Sequence, residues 1–289
     1  NVNLTNSIFV KTGVIVENEN SLTISGDSIN YDSAASGIFG KSGAGTMTIA
    51  QTSGGAGFNM GELAVIEGLM NITTDVNVST SVVTGNTSSM YINTSTMTVV
   101  NDFNLFNYDE MKILSAKLNV GNDLALSSGS FTVNNSTVSV SNVLDSNNMA
   151  AFDVIKSSVT ALSLGIADMS SSVNISSSNV FVSSSAVFSN LAGVNISDSG
   201  LTLGSNFDLS YSTSSLSLSS LSVGKNMIFD ASSVSMSTAS INVSSSAYLT
   251  NVNLAMSSSS ISADYMSVYN STITLRNNSV LASAVDLNN

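Results

Sequence analysis

The 289-residue chain contains no Pro, Cys, His or Trp, and Ser makes up about a fifth of it. The absence of Cys excludes disulfides and thiolate metal sites, and the absence of His removes the commonest general base and metal ligand. Seven basic residues against nineteen acidic ones give a net charge of −12, which argues against binding to nucleic acid.

Short pairs of apolar residues, separated by one residue, begin near the N-terminus. They are Ile8/Val10, Val14/Val16, Leu22/Ile24 and Ile29/Tyr31. This alternation is typical of short β-strands that point one face inward. The chain starts at Asn1 without Met or a signal peptide, so we expect a processed product or a segment of a longer protein. No apolar run is long enough for a membrane span.

Residues 32–61 interrupt the alternation. The stretch "SGIFGKSGAGTMTIAQTSGGAGFNMG" is rich in Gly, a residue that favours loops because it tolerates unusual backbone angles. We therefore predict loop insertions around residues 32–61 that leave the regular structure.

From residue 70 onward the pairs recur on three interleaved tracks, with a period of about 20 residues. The first track contains Met70/Ile72, Met90/Ile92, Met111/Ile113, Phe131/Val133, Phe152/Val154, Val173/Ile175, Val194/Ile196, Leu216/Leu218, Val234/Met236, Leu254/Met256 and Ile273/Leu275. The second contains Val76/Val78, Met97/Val99, Leu118/Val120, Val138/Val140, Val159/Ala161, Val180/Val182, Leu201/Leu203, Leu221/Val223, Ile241/Val243, Ile261/Ala263 and Val280/Ala282. The third contains Phe103/Leu105, Leu124/Leu126, Leu144, Leu164/Ile166, Ala186/Phe188, Phe207/Leu209, Met227/Phe229, Ala247/Leu249, Met266/Val268 and Val285/Leu287.

This pattern predicts an all-β protein, a parallel β-helix (β-solenoid) with three short strands per coil. We expect one domain over residues 1–289 with about 14 coils of about 20 residues. A right-handed winding is expected because crossovers between parallel strands are generally right-handed. The absence of Pro agrees with stacked strands, since Pro would remove a hydrogen-bond donor. A β-sandwich would need longer strands, and helical repeats would show a period of 3.6 residues.

The cadence "VGNDLALSSGSFTVNNSTVSVSN" at residues 120–142 resembles the parallel β-helix modules of bacterial surface adhesins, such as autotransporter passengers and filamentous-haemagglutinin-like proteins. The resemblance implies an extracellular or cell-surface structural role and supplies no catalytic residues. The C-terminal membrane barrel of autotransporters has no counterpart here, which departs from that family's export route.

Two kinds of surface position are candidates for contacts. The predicted outward positions of the third track include the apolar residues Ile15, Val83, Val187, Ile228 and Tyr248, which form a candidate lateral contact face or, alternatively, are scattered exposed hydrophobic residues. Sequons for N-glycosylation occur about as often as chance predicts in so Asn- and Ser-rich a chain, and include Asn71, Asn77, Asn134, Asn242 and Asn270.

No motif indicates an enzyme, and we expect no catalytic residue, cofactor or metal. The basic residues are dispersed, and the aspartates of a possible calcium ladder, Asp208, Asp230, Asp264 and Asp286, do not share one track. Outward Thr residues of an ice-binding solenoid, Thr23, Thr48, Thr132 and Thr274, are not contiguous.

The coils lack evident caps, and unpaired strand edges favour pairing with another copy. We therefore expect an extracellular structural subunit of a surface filament, sheath or matrix that assembles head to tail. Its expected partners are other copies of the chain and, in addition, cell-surface glycans or other matrix proteins. The alternative is the stalk of an adhesin, which would bind its target elsewhere or through the Gly-rich loops, and ice binding is a remote third.

Overall fold

A computed structural model describes residues 2–3, 8–10, 13–26, 29–31, 37–51, 58–85, 87–217, 219–277 and 279–288. These residues form 38 β-strands and no α-helix. The fold is a parallel β-solenoid with about 20 residues per turn, as the sequence predicts. The chain divides into two compact units, Asn1–Asp145 and Ser146–Asn289, and the prediction of a single domain stays a prediction.

In unit 1 the strands form three faces, which correspond to the three tracks. Face one contains β1 (Val2–Asn3), β4 (Leu22–Gly26), β7 (Thr46–Gln51), β10 (Gly68–Ile72), β13 (Ser88–Asn93), β16 (Glu110–Leu114) and β19 (Ser130–Asn134). Face two contains β2 (Ile8–Val10), β5 (Ile29–Tyr31), β8 (Phe58–Met60), β11 (Val76–Val78), β14 (Thr96–Val99), β17 (Lys117–Val120) and β20 (Thr137–Val140). Face three contains β3 (Val14–Glu17), β6 (Ile38–Ser42), β9 (Glu62–Val65), β12 (Val82–Thr84), β15 (Phe103–Phe106), β18 (Leu124–Ser127) and β21 (Val143–Asn147), whose residues include the unit boundary.

Unit 2 has the same three faces, and four of its strands are long enough to turn a corner. These long strands are β24 (Ser163–Ser176), β26 (Ala186–Ser197), β36 (Ser260–Tyr269) and β38 (Ser279–Asn288). The other strands of face one are β22 (Ala151–Ile155), β29 (Thr213–Ser217), β32 (Ser233–Ser237), β35 (Asn253–Ser257) and β37 (Thr272–Arg276). The other strands of face two are β23 (Ser158–Ala161), β25 (Asn179–Val182), β27 (Gly200–Leu203), β30 (Ser220–Val223) and β33 (Ser240–Val243), and those of face three are β28 (Phe207–Ser210), β31 (Met227–Asp230) and β34 (Ser246–Thr250).

The core of each unit consists of apolar residues from successive turns in parallel register. On face two of unit 2, Val180 pairs with Leu201, which pairs with Leu221, which in turn pairs with Ile241. All four side chains are buried, and the residues between the members of each pair are exposed. Stacking therefore buries side chains that one three-stranded turn could not cover alone.

One predicted pair of the first track is wrong in register. Ser214 pairs with both Val194 and Val234, and Leu216 pairs with Ile196 and Met236. The inward pair is therefore Ser214/Leu216, not Leu216/Leu218, and Leu218 lies outside the described residues. The sequence predicts Leu216/Leu218 because both residues are apolar. The fold instead places the small polar side chain of Ser214 inward.

Among the described residues, face one contains seven strands in each unit, one per turn, which agrees with the 14 coils expected from the first track. Within the Gly-rich stretch, residues 38–42, 46–51 and 58–60 form solenoid strands rather than loops. Residues 43–45 form a short turn between two of these strands, and residues 32–36 and 52–57 lie outside the described residues. The right-handed winding also stays a prediction.

A repeated turn joins face one to face two. A residue in the left-handed backbone region comes first, as at Ser177 with a φ of 50°, and a buried Ser follows. Ser178 Oγ lies 2.7 Å from the carbonyl of Ser176 and 3.1 Å from that of Val154 in the preceding turn. It also accepts a hydrogen bond of 3.0 Å from the N–H of Ser157. The hydroxyl thus satisfies backbone groups that the corner removes from the strand ladders.

Candidate functional site

The last turn of unit 2 exposes the inward side of the solenoid. Met256, Met266 and Val268 are buried, but their partners one turn later, Leu275, Val285 and Leu287, are 49%, 52% and 72% exposed. A cavity of about 210 Å³ opens there, lined entirely by apolar side chains of the last turns. Strands β37 and β38 pair only with β35 and β36 among the described residues. This surface, which we call the C-terminal edge, combines apolar side chains with unpaired backbone groups.

The first turn of face three has matching chemistry. Strand β3 pairs with β6 in the register Val14 to Phe39 and Val16 to Lys41. Val14 and Ile15 are both exposed, although Val14 occupies an inward position of the track. We call the strands β1, β2 and β3 the N-terminal edge.

The candidate lateral face lies where the sequence predicts, on the outward side of face three. Val187, Ile228 and Tyr248 belong to one row of unit 2, in which Asp208 stands between Val187 and Ile228. Ile15 and Val83 belong to unit 1, where Gly40 and Ala64 separate them. The apolar residues therefore do not form a continuous strip. Their role in a lateral contact stays a prediction.

Asp208, on the outward side of the same face, has a carboxylate with a raised pKa. Its carboxylate is partly buried and its Oδ1 has no hydrogen-bond partner, as is also true of Asp230 Oδ1. Burial, with a further contribution from the negative charge of Asp230, raises the pKa of Asp208. In the part of the chain that the structure describes, no group of three or more acidic side chains could hold a metal ion.

Unit 1 contains a compact charged cluster on the outward side of face one. Lys112 lies directly over Tyr91 in the β-ladder, with Nζ 5.0 Å from the ring centroid and 2.6 Å from Glu110 Oε1. The hydroxyl of Tyr91 donates a hydrogen bond to Glu110 Oε2. This bond and burial raise the pKa of Tyr91, and the bond to Glu110 raises that of Lys112. The sequence reveals no such cluster because it depends on the register between turns.

A second basic residue, Lys41, points into the core of unit 1. It occupies the inward position between Val16 and Val65 and is fully buried. Its Nζ donates hydrogen bonds to the carbonyls of Gly43 at 2.6 Å and Glu67 at 2.8 Å. Burial lowers the pKa of Lys41, although nearby Glu67 and Glu19 oppose this effect. The carbonyl contacts indicate a structural role in closing this corner.

Faces one and two of unit 2 present mostly hydroxyl and amide groups. Ser176, Ser197, Ser217, Ser237 and Ser257 form one row on face one, each in register with the next. Of the Thr residues considered for ice binding, Thr23 pairs with Thr48, whereas Thr132 pairs with Lys112 and Thr274 with Ala255. Among the described residues these four Thr form no row longer than two, and ice binding stays a prediction.

The five candidate glycosylation residues differ in exposure. Asn77, Asn242 and Asn270 are exposed, and Asn71 and Asn134 are half-buried. Three of them bond to other Asn side chains: Asn71 accepts from Asn93 at 2.6 Å, Asn77 donates to Asn59 at 3.1 Å, and Asn270 donates to Asn251 at 2.7 Å. Glycosylation of all five stays a prediction.

Comparison with known proteins gives no relative. No protein-family model matches the sequence, and no curated protein or solved structure is significantly similar to it. Within the described ranges, no helix could cross a membrane.

Proposed function

We propose that the chain is a non-enzymatic structural protein that associates end to end with copies of itself. The observation that supports this proposal is the exposed apolar C-terminal edge, because an edge of unpaired parallel strands is a template for a further strand. A partner must offer three short parallel strands at the same angles. Another solenoid of this type meets that requirement.

The chemistry of the two edges favours a second copy as this partner. In continued register, Val14 of the next copy lies over Val285, and Val16 lies over Leu287. Both positions are apolar, and both edges are otherwise left without a partner strand among the described residues. Contacts of this head-to-tail kind do not close on themselves, so they generate filaments.

The setting that we propose is extracellular or at a cell surface, in a filament, sheath or matrix. The resemblance of the repeat cadence to bacterial adhesin modules supports this setting, as does the abundance of uncharged Ser and Asn on faces one and two. An adhesin stalk remains the alternative, and the assembly state of the purified chain separates the two.

The test is sedimentation velocity and negative-stain electron microscopy of the purified chain and of two double variants. Leu275→Lys/Leu287→Lys places charges on the C-terminal edge, and we expect it to abolish assembly because each buried ammonium would be unpaired. The matched control, Thr274→Lys/Asn288→Lys, adds the same charges on the outward side of the same strands and should still form filaments. Discrete single particles of the unmodified chain at all concentrations would contradict the proposal and favour the stalk.

A further inference from the structure

Face three of unit 2 combines aromatic rings with carboxylates near the C-terminal edge. Tyr248 and Tyr265 lie on neighbouring turns with ring centroids 6.3 Å apart, and Tyr269 is 54% exposed at the end of the same strand as Tyr265. Asp286 is exposed on the last turn, and its Oδ2 lies 3.4 Å from the hydroxyl of Tyr265. We call Tyr248, Tyr265, Tyr269 and Asp286 the tyrosine patch.

The charge of this face is of one sign. The strands of this face in unit 2 contain the carboxylates of Asp168, Asp208, Asp230, Asp264 and Asp286, and they carry no Lys or Arg. The nearest basic residue in sequence, Arg276, ends β37 on face one, where it pairs with Ser257, and Lys225 precedes β31 on the corner between faces two and three. A partner that binds here therefore has to supply positive charge.

In unit 1 a similar pair of a tyrosine and a carboxylate binds a lysine side chain of the chain itself. There, a tyrosine and a carboxylate one turn apart are joined by Lys112, which contacts the ring of Tyr91 and pairs with Glu110. In the tyrosine patch, the position directly over Tyr265 is Ala284, which has no charge. The tyrosine and the carboxylate are thus present in both places, and the cation is present only in unit 1.

We propose that the tyrosine patch binds a lysine- or arginine-bearing segment of a partner protein. An ammonium or guanidinium group over the ring of Tyr265 gains the attraction of the aromatic face and pairs with Asp286. Ile228, next to Tyr248 in the same row, offers apolar contact for the aliphatic part of a long basic side chain. A second copy of this chain is a poor occupant, since only seven of its 289 residues are Lys or Arg.

The proposal does not rest on the proposed function, although Asp286 borders the C-terminal edge, and it is tested with a synthetic probe. The probe is an eight-residue peptide of alternating Lys and Leu, and its matched control is the same peptide with acetylated lysines. Titration calorimetry at low salt should detect binding of the first peptide and none of the second. Binding of both peptides alike, or of neither, would overturn the proposal.

Substitutions locate the binding. Asp286→Asn and Tyr265→Leu should each weaken binding of the Lys-Leu peptide by about two- to fivefold, and the double variant by about tenfold. Asp264→Asn makes the same charge change at an exposed corner of the preceding turn and should change affinity by less than about twofold. Circular dichroism verifies that Tyr265→Leu is folded, and Asp286→Asn leaves the core untouched. If Asp264→Asn weakens binding as much as Asp286→Asn, the attraction comes from net charge alone and the site is wrong.

Discussion

At the scale of single residues, most buried polar side chains of the solenoid form hydrogen bonds with the backbone of a corner or of a neighbouring turn. A few described inward side chains have no hydrogen-bond partner. Ser214 is 2% exposed, and its hydroxyl has no hydrogen-bond partner. It lies between Val194 and Val234 in the ladder. A buried hydroxyl without a partner costs free energy that an apolar side chain of similar size does not.

Ser214→Val should therefore stabilise the protein. We expect an increase of about 1 kcal/mol in the free energy of unfolding, from removal of the unpaired hydroxyl and burial of two methyl groups. Urea denaturation measures the change, and Ser215→Val at the exposed neighbouring position is the control, with no increase expected. A lower midpoint for Ser214→Val than for the unmodified chain would show that the site is too tight for Val.

Asp208 should make the free energy of unfolding fall as the pH rises. Because its pKa is raised in the folded state, the fold retains the proton to a higher pH than the unfolded chain does. Stability contributed by the protonated form is thus lost as pH rises from the unfolded value, 3.8, through the raised folded value.

Asp208→Asn should consequently have a higher melting temperature than the unmodified chain at pH 7, and this difference should shrink below pH 3.8. Thermal melts at both pH values measure it, with the exposed Asp264→Asn as control. A pH-independent difference would indicate that ionisation of Asp208 is not its cause.

At the scale of elements, the corner between faces one and two is the repeated device that turns the chain. The hydroxyls of Ser136, Ser178 and Ser199 each lie within hydrogen-bond distance of a carbonyl two residues earlier and of a carbonyl in the preceding turn. These Ser residues therefore hold both the corner and the stacking of neighbouring turns.

Ser178→Ala should destabilise the protein by about 1–3 kcal/mol, because the buried N–H of Ser157 loses the hydroxyl as its acceptor and the carbonyl of Val154 loses it as a donor. The carbonyl of Ser176 keeps the N–H of Lys156. Ser183→Ala changes an exposed Ser in the same turn and should be close to neutral. Chemical denaturation of both variants makes the comparison, and equal effects would contradict the role of the corner.

The elements were predictable where the side-chain pattern alone determines them. Val180, Leu201, Leu221 and Ile241 stack as the sequence predicts, because the spacing of apolar pairs fixes the turn length. Corner residues with positive φ such as Ser177 were not predictable, since Ser carries neither the Gly nor the Asn signal for the left-handed region. The sequence did not predict that Ser214 and Lys41 point inward, because the pattern of apolar pairs identifies only apolar inward residues. Whether a polar side chain finds hydrogen-bond partners inside depends on the neighbouring turns.

At the scale of the whole molecule, end-to-end association predicts a polymer whose joint continues the parallel ladder. In that joint Ile15 of one copy lies over Asp286 of the next, since Val14 and Val285 occupy equivalent positions of face three. Neighbouring strands lie about 4.8 Å apart, a separation within the Cα–Cα range of disulfides. The chain has no Cys of its own, so an introduced pair reports on this joint alone.

The most direct measurement is oxidative cross-linking of the Ile15→Cys/Asp286→Cys variant, followed by a non-reducing gel. End-to-end stacking predicts a ladder of dimers, trimers and longer species that collapses to monomer on reduction. The single variants, Ile15→Cys and Asp286→Cys, should give no species beyond a dimer. A double variant that also stops at monomer and dimer, although its thiols are accessible to alkylation, would contradict the joint and with it the proposed structural function.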